Sequence, residues 1–248
     1  MIIKKNIKKK IRLNHYLSLS GVSSRRKAEK LISSGIVEVN GKTILKLGTI
    51  VNNNDIVKLS GEKINIKDKI YLLMNKPRGF ITTTKDPFYR KTIMNLIPTY
   101  FLKKYKIFPV GRLDRSTTGI LLLTNDGMIA EKLTHPKYHV IKIYHVFLNK
   151  KINIQDIEKI INGKIYLKEG KVKVNFIKKG NIKYDLKIGL CIGWNKIIKR
   201  IFNKLNYEVV KLNRISFGGL TKRHIKKGNW TQLSIKKIQY ILKKNYYL

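Results

Sequence analysis

Residues 108–127 read FPVGRLDRSTTGILLLTNDG. One aspartate, Asp114, stands between Arg112 and Arg115, ahead of Ser116, Thr117, Thr118 and Gly119, and an aliphatic run follows. Neighbouring guanidinium groups favour the ionised carboxylate, because an adjacent positive charge stabilises the anion. Hydroxyl side chains closed by a glycine form a tight hydrogen-bonded loop that fixes the carboxylate's direction. The segment ILLLTN predicts a buried strand that anchors this loop. An ionised, held carboxylate is a competent nucleophile or base. The alternative reading of the same residues is an aspartate that caps a turn and pairs with an arginine.

The composition around this acid is lopsided. Of 248 residues, 54 are Lys or Arg and 14 are Asp or Glu, a net charge of +40, which points to a polyanionic partner. Abundant Lys, Ile and Asn resemble the drift of an AT-rich genome; that explains scattered lysines but not clustered arginines. With 43% hydrophobic residues the chain can bury a core, and its length suits two modest domains. A single cysteine, Cys191, excludes an intrachain disulfide and points to a reducing compartment. The five histidines form no metal-binding pattern, so no metal is expected. No stretch reaches the roughly 20 apolar residues of a membrane span, and the basic N-terminus lacks the apolar core of a signal peptide. A cytoplasmic protein is expected, with residues 1–10 a basic flexible arm. Walker A, GxGxxG and GxSxG patterns are absent, as is a Cys–His pair, so no nucleotide cofactor is expected and a carboxylate is the default nucleophile.

Residues 11–60 predict a small domain of two helices followed by short strands. In SGVSSRRKAEKLISSG (20–35), Ser23 or Ser24 caps a helix, Ala28, Leu31 and Ile32 carry its apolar spacing, and Gly35 stops it. Asn40-Gly41 between alternating apolar residues predicts a hairpin turn. Arg25, Arg26 and Lys27 occupy the first turn of the helix, where its dipole disfavours cations, so phosphate binding explains them better than helix stability. Residues 61–69 are polar and are read as a linker. From 70 to 248, strands and helices intermix without regular strand-helix-strand spacing, which predicts an α+β domain with a mixed, mostly antiparallel sheet.

Two resemblances organise these readings. RLNHYLSLSGVSSRRKAEKLISSGIVEVNGKTI, from Arg12, resembles an S4 RNA-binding domain, with Asn14 where Asp or Gln is usual. GRLDRSTTGILLLTNDG (111–127) is similar to the G-R-L-D-x-x-T-x-G-L-L-L-L-T-N-D-G signature of the RsuA/RluB family of ribosomal RNA pseudouridine synthases, nearer the RluB branch. NKPRGFITTTKDP from Asn75, LTHPKYHVIKIYHV from Leu133 and GWNKIIKRIFNKL from Gly193 follow in the family's order.

The resemblance implies an isomerase that converts uridine to pseudouridine without a cofactor. Asp114 matches the catalytic aspartate, which either attacks ribose C1′ or helps remove the 2′ proton. Arg112 matches the arginine that fills the space of the flipped base, and Tyr144 the tyrosine that stacks on it. On a strand, Tyr144, Val146 and Leu148 share one face. Lys199 aligns with the basic partner of the aspartate, where many relatives have Arg, and Arg200 is the other candidate. Trp194 and Lys196 replace arginines of the family pattern. Further RNA contacts are expected at Arg115, Arg12, Ser24, Arg25, Arg26, Lys27, Lys76 and Arg78. The implied partner is ribosomal RNA, leaning to 23S, free or in a pre-ribosomal particle, and the enzyme is expected as a monomer. A catalytically degenerate S4-type RNA-binding or assembly protein is the rival reading.

Overall fold

The computed structural model describes residues 10–52, 54–180, 183–222 and 224–246. Apart from Lys10, the expected N-terminal arm lies outside them. The chain divides between Lys69 and Ile70 into two units.

The first unit packs helices Leu13–Leu19 and Arg25–Ser33 against a four-stranded antiparallel sheet. Ser24 accepts the N–H of Lys27 through Oγ, capping the second helix as its sequence position requires. Asn40 and Gly41 both have positive φ, 51° and 81°, the geometry that lets Glu38 and Val39 pair with Thr43 and Lys42. Leu13, Leu17, Ala28, Ile32, Val37 and Val57 form the core. The expected linker at 61–69 needs correction. Glu62–Lys63 is the outer strand on Val57–Leu59, the Tyr16 hydroxyl donates to Ile64 O at 3.0 Å, and Lys67 N donates to Leu19 O at 3.1 Å. An edge strand faces water along one side, so its polar composition imitates that of a linker.

The second unit is built on one twisted sheet whose strands run, in spatial order, Phe176–Lys179, Asp185–Leu190, Lys142–Leu148, Val209–Phe217, Thr118–Thr124, Tyr71–Lys76 and Trp230–Gln232. Every adjacent pair along that path is antiparallel except strands 209–217 and 118–124, which meet in parallel only at Asn213↔Thr118 and Arg214↔Gly119. This short seam joins two antiparallel halves. Gly119 makes it possible: its φ is +110°, and a Cβ there would lie 2.8 Å from Arg214 N, 2.6 Å from Asn213 Oδ1, and closer still to Arg214 O. Only a residue without Cβ lets the two backbones approach so closely.

Strands 71–76 and 118–124 are covered on both faces. Tyr71, Leu73, Ile120 and Leu122 pack with Ile238 and Leu242 of helix Ile235–Tyr246; Leu72, Met74, Leu121 and Leu123 pack with Ile93, Ile97 and Ile107. Two-sided burial is why ILLL is continuous rather than alternating. Across the seam, helix Ile197–Asn203 turns Ile197, Ile198, Ile201 and Phe202 onto Val146, Leu186 and Ile188.

Candidate active site

The loop carrying Asp114 is fastened through its backbone. Thr117 N donates to Asp114 O at 3.0 Å, closing the turn. Thr82 Oγ1 donates to Leu113 O at 2.7 Å. Gly79 N donates to Arg115 O at 2.8 Å, and Arg115 Nε returns a bond to Gly79 O at 3.2 Å, clipping the Pro77–Gly79 loop to the aspartate loop. Lys76 locks both from inside. Its ammonium donates to Pro77 O (3.1 Å), Asp114 O (3.1 Å) and Thr117 O (2.9 Å), and the residue is completely buried. Burial lowers its pKa to about 8, partly opposed by the Asp114 charge. Lys76 was expected to meet RNA; in the structure its charge faces carbonyl groups within the protein, so it holds the loop instead.

Asp114 opens onto a cleft of about 190 Å³ whose wall includes Arg112, Thr117, Lys142, Tyr144 and Arg214. Arg112 comes from the same loop, Lys142 and Tyr144 from one face of strand 142–148, and Arg214 from the neighbouring strand, where it stands opposite Tyr144. Thus Asp114, Arg112 and Tyr144, the three residues with the most specific expected roles, share one cavity.

Neither expected partner reaches the carboxylate. Lys199 Nζ donates to Ser116 Oγ at 2.9 Å, two residues beyond Asp114. Arg200 forks onto Glu169, with Nη1 to Oε1 at 2.8 Å, and also donates to Asn195 O. Those bonds raise the arginine's pKa and lower that of Glu169 to about 2. Among the described residues, no hydrogen bond or ion pair engages the Asp114 side chain. The expected Asp114–Lys199 or Asp114–Arg200 pair is therefore corrected: Lys199 supports the aspartate loop through Ser116, and Arg200 is taken by Glu169.

Arg78 is exposed on the Pro77–Gly79 loop, and Arg115 is exposed beside it. In the first unit Arg12, Ser24, Arg25, Arg26 and Lys27 are all exposed, the last four in sequence at the start of one helix. Thr117, Lys142 and Arg214 also line the cleft without having been among the expected site residues. A signal was present for Lys142 and Arg214. Lys142 has the same strand parity as Tyr144, Val146 and Leu148, and Arg214 the same parity as Leu212; a cation in an inward register is a polar group placed in a wall.

Comparison with known proteins identifies the family of each unit. Residues 70–237 match the RNA pseudouridylate synthase family, and residues 11–57 match the S4 domain. The chain is 38% identical over 230 residues to ribosomal large subunit pseudouridine synthase B of Bacillus subtilis, covering 90% of this chain and 92% of the relative. It is 34% identical to the protein of the same name from Buchnera aphidicola, covering 94% and 97%. A solved pseudouridylate synthase superposes with a TM-score of 0.67 at 25% identity, over 93% of this chain and 99% of that one. An S4 domain ahead of a sheet that gathers a loop aspartate, an arginine and a strand tyrosine into one cleft, together with these matches, shows that the chain belongs to the RNA pseudouridylate synthase family.

Proposed function

We propose that the protein converts a specific uridine of ribosomal RNA, in the large subunit, to pseudouridine, with Asp114 as the reacting carboxylate. The observation that carries this reading is the convergence of Asp114, Arg112 and Tyr144 on one cleft. The names of the relatives in Bacillus and Buchnera support the large subunit as the substrate.

A uridine inside a helix is inaccessible, so the target nucleotide must leave the stack. Arg112, exposed at the mouth of the cleft, has a planar guanidinium that can both stack in the vacated space and pair with phosphate. Tyr144 presents a ring to the base. Asp114 then attacks ribose C1′, or takes the 2′ proton to leave a glycal, and the N1–C1′ bond breaks with its electrons passing to uracil. The base turns and C5 bonds to C1′; C5 gives up its proton and N1 gains one, so the product is an isomer and the carboxylate is regenerated. Exposed cations at Arg12, Arg25, Arg26 and Lys27 of the S4 unit, with Arg78 and Arg115 of the catalytic unit, hold the RNA backbone. The enzyme works as a cytoplasmic monomer on free ribosomal RNA or an assembling particle.

The test is nucleotide-resolution mapping of pseudouridine after mixing the protein with unmodified bacterial ribosomal RNA. One new site in 23S RNA, made by wild type and lost in Asp114→Asn with binding intact, is expected. Binding without modification by wild type would replace this reading with that of a degenerate RNA-binding protein.

A further inference from the structure

Arg214 is the most heavily buried cation of the cleft wall. It is 2% exposed. Its Nε donates to Ile120 O at 2.8 Å, and its guanidinium lies 4.6 Å from the centre of the Phe217 ring. The Tyr144 side chain, opposite it, interacts favourably with the guanidinium; among the described residues Nη2 has no hydrogen-bond partner and no carboxylate pairs with the side chain. A second orphan shares the wall: Thr117 Oγ1 is buried and equally without a partner. Lys142 adds another positive charge, its ammonium bonded, among the described residues, to two carbonyls, Cys191 O at 2.8 Å and Val140 O at 3.3 Å. Burial first, and then the Arg214 charge, lower its pKa to about 8.

Burying a charge that no carboxylate balances is costly, and a second like charge beside it raises that cost. Such an arrangement is complementary to an anion that enters the cleft during function. RNA phosphate is one anion at hand, but exposed arginines already serve it at the rim. The cleft, at about 190 Å³, falls below the roughly 300 Å³ lower bound of pockets for drug-sized ligands, so it takes a single ring. If the proposed reaction holds, one ring becomes anionic there. When N1–C1′ breaks, uracil keeps the bonding pair, and the charge spreads over N1, O2 and O4 until C5 bonds to C1′.

We propose that Arg214 is a catalytic residue, its free Nη2–H joining the Thr117 hydroxyl as donors to a carbonyl oxygen of the flipped uracil and holding the detached base as its anion while it turns. This inference rests on the pseudouridine-forming reading of the cleft. Donors fixed in a dry site act where charge develops, and loss of one such donor slows a reaction by roughly 10²- to 10³-fold.

The test compares full-length wild type, Arg214→Met and Arg214→Lys under single turnover, on target RNA carrying uridine or 5-fluorouridine at the modified position. Fluorine stabilises the uracil anion itself and so substitutes for part of the arginine's role. Arg214→Met is expected to slow N1–C1′ cleavage about 10²-fold on uridine but at least tenfold less severely on 5-fluorouridine, with RNA affinity within twofold of wild type, and Arg214→Lys is expected to regain part of the rate. Equal loss on both substrates would mark a merely structural residue and overturn the proposal, as would no loss at all. Should the variants fail to fold, wild type is assayed on RNA with 2-thiouridine or 4-thiouridine at the target, because sulfur is a weak acceptor. Slowing with either analogue supports the donor contact; undiminished rates with both refute it. Wild type inactive on uridine RNA would instead reject the reaction itself.

Discussion

Adding one methyl group at Gly119 tests the sheet seam and the site together. Alanine at φ +110° stores about 1–3 kcal/mol of backbone strain. Its Cβ would also sit 2.8 Å from Arg214 N and nearer to Arg214 O, both backbone atoms of a central strand that cannot rotate away. Relief requires the strands to part, which weakens a parallel contact only two residues long, at about 1 kcal/mol for each hydrogen bond lost. The sum is about 3–5 kcal/mol, and at about 2–4 °C per kcal/mol for a domain of this size the melting temperature should fall by about 6–20 °C. Both tryptophans, Trp194 and Trp230, belong to the second unit, so their fluorescence follows its unfolding alone. Parting the seam also shifts Asp114 relative to Tyr144, and about 1 Å of misplacement costs on the order of 10²-fold in rate. Gly127→Ala is the matched control. Gly127 opens helix Gly127–Thr134 without a positive φ, and a Cβ there meets nothing within 4 Å, so alanine should stabilise by about 0.4–1 kcal/mol. A Gly119→Ala protein that melts within about 2 °C of wild type and keeps its turnover would refute the seam argument.

Four further outcomes are expected. Lys76→Met leaves three carbonyls, that of Thr117 buried, without their ammonium donor and should destabilise the second unit by about 2–4 kcal/mol in denaturant titrations; a change below about 1 kcal/mol would show that the loops hold without it. The Lys76 pKa of about 8 lies below that of a lysine in the unfolded chain, so between about pH 8 and 10.4 the unfolded state binds more protons and stability rises with pH. That rise should be shallower in Lys76→Met, and an unchanged slope would contradict the assignment. Lys199→Ala should lower turnover by freeing Ser116 while leaving RNA affinity intact, whereas Arg200→Ala, which removes only the Glu169 pair and the Asn195 bond, should leave turnover unaltered; the reverse order would restore Arg200 as the functional cation. Neutralising Arg25, Arg26 and Lys27 together should reduce the log–log salt slope of single-stranded RNA binding by about 2, at about 0.7 per phosphate contact, and an unchanged slope would place the S4 interface elsewhere.

Features fixed by local chain chemistry were legible in the sequence. The Asp114 turn, the doubly covered strand behind it, the Ser24 cap and the Asn40-Gly41 hairpin each depend on residues within a few positions of one another. What escaped was set across the chain. Lys76 carries a surface residue's charge, but its surroundings are fixed by carbonyls at Asp114 and Thr117, about 40 positions away. Helical spacing located Lys199 and Arg200 beside a packed stripe without revealing that Glu169, 31 residues upstream, claims the arginine. Composition could not separate the edge strand Glu62–Lys63 from a linker, because both face water. Arg214 and Lys142 were readable only through strand parity, and a lysine-rich sequence hides such a signal among many exposed cations.

The two-residue contact between strands 118–124 and 209–217 also bears on how the enzyme comes to exist during synthesis. Asp114 leaves the ribosome about a hundred residues before the strand that closes the other side of its cleft, and Tyr144 emerges between them. A nascent or truncated chain ending before residue 209 carries the signature motif complete, yet has no partner for Gly119 and no Arg214 wall. Such a chain lacks one wall of the cleft and is expected to show no turnover, which pseudouridine mapping with a protein ending at residue 208 would check.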